Sequence, residues 1–486
     1  MLIFLIIKPL NNCLEMNHLN NLFLVLTASY FLFFSPDLLG ENALKYTLEY
    51  LPNSGKVTLE IQFDPLDAGD VRLIIPRSAP GTYSLINYLA FTADIRALTT
   101  RGTELEGSLG DGSYFIFPAE HTQLSKLFYT VDVKRMEEQI LDASMSSKAR
   151  DNYLGLFGYS IFGFIEGQEN KPIELSIQTD PEWPIFSTLA PSESRKYGRA
   201  TFEVPDYALL ADAQFLLGNA VAVLEVPDAP IPLYVATYSE TPISPEEIGR
   251  RGKVALENLK AYFGYVPMPH YTMVYEFVKP VSDRHDYGFN MEHLNSMTAN
   301  RDVSRPINAY DPDANITSIV HHMGHSWLPL RSFGAGYRPF DWQIAPLIET
   351  IWLNEGFIWY ITTIPILKND RMLNWFQANL DQAPAFIKNK TLRELSLLGS
   401  TQYAQDFRIG KNLFSRGALM AYEMDVYIRE QTEGKKSFRD ALLGLLEWTN
   451  ANQRAFNYEE IEPILSGAAG VNLTAIWSRW QQPMNH

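Results

Sequence analysis

The hydrophobic period of this chain switches near Ile243, and the switch limits the folds open to it. From about Lys45 to Pro205 the apolar residues fall in short alternating or continuous runs, "YTLEYLP", "KVTLEIQF", "DVRLIIP" and "PIELSIQT". Pro, Gly, Asp and Asn separate them, which is the pattern of antiparallel strands. Beyond Ile243 the spacing becomes helical. "SPEEIGRRGKVALENLKAYFGY" offers Ser244 as an N-cap, Pro245 at the first helical position and acids in the first turn. A strand-like "YTMVYEFV" comes next, and helical segments then continue to Trp480. A chain of 486 residues exceeds one comfortable core, so two or three domains are expected. The expected fold is α+β, with an antiparallel β domain over 41–205 and, over 206–486, a small sheet followed mostly by helices.

The first forty residues differ from the rest. "NNLFLVLTASYFLFF" (Asn20–Phe34) is an apolar run of signal-peptide length, followed by small and polar residues. Residues 1–40 are therefore expected to be a signal peptide or signal anchor, with Met16 as an alternative start, and the mature part to be exported, periplasmic or secreted. A buried N-terminal helix is the competing reading. The only cysteine, Cys13, lies in this segment, so the folded part has no thiol for a disulfide, a thiolate metal site or a nucleophile. The full chain's net charge of −16 argues against nucleic acid as a partner, since no basic surplus exists to displace phosphate counterions.

With no thiol available, any metal must be held by histidine and carboxylate. "HHMGH" (His321–His325) places two histidines four apart, on one face of a helix and one turn up, where both imidazoles can reach one ion. The same spacing also arises from histidines that stack in a core. Thirty positions on, "WLNEGF" carries Glu355 in an aromatic and aliphatic segment, where a bare buried carboxylate is costly. A His–His–Glu set of this kind suits catalytic zinc. A capped or salt-bridged Glu355 is the plainer alternative.

"HHMGHSWLPLRSFGAGYRPFDW" followed by "LIETIWLNEGFIWY" resembles the core of the glycyl aminopeptidase family of zinc metallopeptidases, in the gluzincin group. Further segments agree in order: "PGTYSLINY", "DPEWPIFSTL", "YALLADAQFLLG", "YGFNMEHLNS", "SRGALMAYEMDVYIRE" and "GAAGVNLTAIW". The resemblance implies a thermolysin-like catalytic domain and a C-terminal helical bundle after the β domain, with zinc held by His321, His325 and Glu355. It nominates Glu292, in "FNMEH", as the carboxylate that receives a peptide's free α-amino group. Peptides or protein N-termini become the expected partners. No C-terminal PDZ domain, which several relatives carry, is expected within these residues.

Two positions depart from the family pattern. The general base of HExxH, which takes a proton from the attacking water and returns it to the leaving amine, is here His322. A tyrosine that donates to the tetrahedral oxyanion is matched by Phe414, with Tyr403 or Tyr422 as nearby hydroxyls. Loss of acid–base catalysis costs about 10²–10⁴ in rate, and loss of one oxyanion donor about 10²–10³. Three readings are open: a zinc-holding pseudopeptidase, an active aminopeptidase that removes small N-terminal residues, and a metal-free peptide-binding or structural protein.

Overall fold

The computed structural model describes residues 43–484 apart from 119–121, 194–195, 305–311 and 345. The leader expected over 1–40, with Cys13 and Met16, lies outside the described residues.

The first domain is built from three sheets. The largest has seven strands, with 199–204, 173–178, 44–50, 56–67, 123–132, 92–99 and 104–106 side by side in that order. Strand Leu44–Tyr50 shows why the period reads as β: Leu44, Tyr46, Leu48 and Tyr50 are buried, while Lys45 and Glu49 are exposed. Its pairing with Ile173–Gln178 is parallel, so this sheet is not purely antiparallel.

The sequence boundary at 205/206 moves. Helix Tyr207–Asp212 and strand Gln214–Leu217 belong to the first domain: the strand pairs with Tyr153–Phe157 and Pro184–Ser187. The Tyr207 hydroxyl donates to the carbonyl of Phe162 at 2.6 Å, and Leu210, Phe215 and Leu217 fill the β-domain core. Pro205 reads locally as a break, but the burial of Tyr207–Leu217 depends on tertiary packing against distant strands.

The second domain opens on a five-stranded sheet. Its strands are β1 (Ala222–Glu225), β2 (Leu233–Ser239), β3 (Tyr271–Val278), β4 (Asn290–His293) and β5 (Ser296–Asp302), in the spatial order β1-β2-β3-β5-β4. β2, β3 and β5 run parallel, and β4 is an antiparallel edge strand. Every residue of β3 is buried, which explains why its sequence is a continuous apolar run rather than an alternation.

Helix α1 (Pro245–Phe263) begins as its sequence predicts, with Ser244 Oγ accepting from the Glu247 amide, and it ends at Gly264 in the left-handed region. The later helices are α2 (Pro312–Gly324), α3 (Ile351–Ile361), α4 (Arg371–Asp381), α5 (Ala385–Lys388), α6 (Leu392–Gln402), α7 (Phe407–Gln431), α8 (Phe438–Asn452), α9 (Ile461–Ala469) and α10 (Thr474–Gln481). α3 and α7 cross closely because two glycines meet: a Cβ on Gly356 would lie 2.5 Å from Gly417 Cα, and one on Gly417 would lie 2.1 Å from the Trp352 carbonyl oxygen. That contact sets the height of Glu355, Gly356's neighbour. Among the described residues, no helix is long and apolar enough to cross a membrane.

Candidate metal and peptide-binding site

The end of α2, the middle of α3 and the edge strand β4 converge on one buried cluster. His321 sits in the last turn of α2, and His325 comes one turn later with its amide still bonded to the His321 carbonyl at 3.2 Å. From α3, Glu355 Oε2 lies 3.3 Å from His321 Nε2 and 3.5 Å from His325 Nε2, and the two Nε2 atoms are 3.1 Å apart. All three residues are buried, and their ligand atoms lie within 4.8 Å of one another. The His325 Nδ1–H donates to the Leu328 carbonyl at 3.0 Å, which aims Nε2 at the cluster. Two imidazole nitrogens and one carboxylate, buried and convergent, match the donor chemistry of zinc.

The charge state of the cluster is set by its crowding. Burial opposes a proton on His325, yet Glu292 and Glu355 together raise its pKa to about 9. Burial and the charge on His325 push His321 down to about 4. Burial works against the Glu355 carboxylate, but the two histidines hold it ionised, well below the usual carboxylate range. Without a cation the cluster thus keeps one proton near neutral pH, and a dication would displace it. Zinc uptake at pH 7 is expected to release about one proton per ion. The release should fade above pH 9, because His325 is then already neutral. Calorimetry in buffers of different protonation enthalpy reads this number directly, and zero release at pH 7 would contradict the assignment.

Glu292, on β4, is buried and raised to about 6, mainly by burial, with His325 opposing and Glu355 reinforcing. Its Oε1 has no hydrogen-bond partner among the described residues. A buried carboxylate oxygen left without a donor is a costly feature that a ligand's ammonium group would relieve. Gly81, at φ +85°, presses against it: a Cβ there would lie 2.8 Å from Glu292 Oε1. Only glycine meets both demands, and it brings the β-domain loop "PGTYS" into the site.

His322 stays out of the ligand cluster. Its Nδ1–H donates to the Ser318 carbonyl at 2.7 Å, one turn back on α2. Burial, then His321 and His325, hold it neutral, well below the usual imidazole range, against the opposing effect of that hydrogen bond. Its side chain faces the cavity with Nε2 left as an acceptor. Phe414, on α7, faces the same cavity, stacked on Trp359 at 5.2 Å and on Trp375 at 5.4 Å between ring centroids. Of the two hydroxyls considered as substitutes, Tyr403 lines the cavity, whereas Tyr422 lies outside it against Tyr360.

The cavity itself, about 730 Å³, is lined by Glu292, His321, His322, Glu355 and Phe414, so the structure brings these sequence-nominated residues together, with His325 beneath them. Sequence reasoning missed Tyr83, a buried residue of the other domain at φ +43°. Its hydroxyl accepts from Asn354 Nδ2 at 3.5 Å, and its ring packs on Tyr403. In the sequence, "PGTYS" is distinguished only by its order along the chain, which says nothing of a site. Burial and the Glu355 charge raise the Tyr83 phenol well above its ordinary value.

The β domain, the mixed sheet with its antiparallel edge and the helical C-terminal region together form an M1-like aminopeptidase architecture. Residues 45–219 match the Peptidase M61 N-terminal domain, a match that ends where the β domain ends. The whole fold is similar to an aminopeptidase N family protein from Idiomarina loihiensis, at 17% identity and a TM-score of 0.75, over 90% of this chain and 76% of that one. It is also similar to an M1 zinc metallopeptidase variant from Deinococcus radiodurans bound to a Tyr-Ser-Ala substrate, at 13% identity and TM-score 0.56, over 91% and 94%. A third similarity is to yeast LTA4 hydrolase in complex with bestatin, at 13% identity and TM-score 0.53, over 91% and 68%. No curated protein matches the chain by sequence.

Proposed function

We propose that this chain is an exported, zinc-holding relative of the glycyl aminopeptidases that captures peptide N-termini and cleaves them poorly. The observation that carries the reading is the pairing of a convergent His321–His325–Glu355 set with an unpartnered Glu292 oxygen in the same cavity. When bound, zinc supplies Lewis-acid activation of water and of the scissile carbonyl. Glu292 receives the α-ammonium and so fixes the first residue of the peptide. Tyr83 and Gly81, from the β domain, close the site over that end. What is weak is proton transfer: His322 offers a neutral Nε2 of low basicity, and Phe414 offers no hydrogen bond to an oxyanion.

A second reading, a slow but genuine aminopeptidase, draws on the same His322 Nε2 and on the Tyr403 hydroxyl beside the cavity. Metal content measured alongside hydrolysis of short peptides separates the two. One zinc per chain with negligible release of N-terminal residues is the expected result. Turnover that disappears in His325→Ala would favour the second reading. A zinc-free protein after gentle purification would reject both.

A further inference from the structure

The cavity wall has two unlike stretches beside the candidate metal cluster. On one stretch are Glu292 and Gly81, in contact with each other, and Tyr83, which packs on Tyr403. On the other, the His321 ring packs on Trp359 at 4.6 Å, and Trp359 leads through Phe414 to Trp375. Trp375 belongs to α4, and four residues before it, on the same face of the helix, is Arg371. Both side chains line the cavity. Among the described residues no carboxylate pairs with Arg371, while its sequence neighbour Asp370 stays out of the cavity wall. Arg371 is also the first residue of an 11-residue helix, whose positive end adds to its own charge.

A carboxylate, Glu292, and a guanidinium with no carboxylate partner among the described residues, Arg371, both line the cavity and make it bipolar, in a protein whose net charge is −16. Its volume of about 730 Å³ falls within the range of about 300–1,000 Å³ that holds drug-sized ligands. We propose that Arg371 is a specificity-determining residue which binds the free C-terminal carboxylate of a short peptide, so that the site selects small zwitterionic peptides over the ends of long chains. This rests on the proposed role of Glu292 at the amino end. Guanidinium and carboxylate make charge-assisted, often bidentate hydrogen bonds, which amidation of the peptide removes.

The test uses the full zinc-loaded protein and calorimetric binding of Ala-Phe-Ala carrying a ketomethylene isostere at its first peptide bond, so that binding is read without turnover. The free acid is expected to bind about ten- to a hundred-fold more tightly than the C-terminal amide. In Arg371→Gln the two should bind alike, at the wild-type amide level, and Arg371→Lys should restore part of the preference. Arg371 is exposed, so these variants keep the fold. Equal wild-type binding of acid and amide, or an undiminished preference in Arg371→Gln, overturns the proposal. The N-acetylated peptide tests Glu292 separately: if acetylation costs nothing, the amino-end reading fails whatever Arg371 does. No binding of any form by the wild type rejects both.

Discussion

The double variant His322→Glu with Phe414→Tyr is expected to hydrolyse short peptides at least about a hundred-fold faster than the wild type, because it restores both a carboxylate base and an oxyanion donor. The scaffold for both groups is present. His322 and Phe414 face one cavity together with two of the three proposed ligands, His321 and Glu355, so new side chains at these positions start beside the reacting atoms. The cost of each change is modest: His322 gives up one hydrogen bond to the Ser318 carbonyl, and Phe414 gains a hydroxyl while keeping its stacking on Trp359 and Trp375. Base and donor act on one transition state, so each single variant should recover less than its share of the pair. The check is the rate of N-terminal residue release with zinc content measured on the same sample. Full zinc with no gain in rate would mean that the cavity has lost more than these two groups.

Glu355→Gln is expected to reduce bound zinc from one per chain to a trace, with the fold retained. The amide keeps the shape but removes the anionic ligand and one of the two charges, with that of Glu292, that hold a proton on His325. Zinc that binds only the native state, at a free concentration of about a thousand times its Kd, contributes about 4 kcal/mol to stability. A chelator should therefore lower the Tm of the wild type and leave that of Glu355→Gln unchanged. A variant that still responds to the chelator would place the metal elsewhere.

Much of this site was legible in the sequence because its signals are local. The i, i+4 spacing of His321 and His325 fixes their common face wherever the helix sits, and Glu355 betrays itself as a carboxylate in an apolar helix that must find a partner. Phe414 could be nominated only through motif order, and the structure places its ring in the cavity wall. The boundary at 205/206 failed for the opposite reason. Pro205 is a local signal, whereas the docking of Gln214–Leu217 between Tyr153–Phe157 and Pro184–Ser187, two strands distant along the chain, is not encoded in spacing.

The sequence by itself determined the alternation of β and helical periods, the absence of cysteine among the described residues and the presence of two imidazoles and a carboxylate able to share an ion. Only the tertiary structure decided that His322 bonds back to the Ser318 carbonyl, that Gly81 crosses from the other domain to Glu292 and Tyr83 to Asn354, and that Arg371 lines the same cavity. The reason is physical. Period and spacing record how a segment meets its own neighbours along the chain, but the partners of a buried charge are chosen by packing between segments hundreds of residues apart.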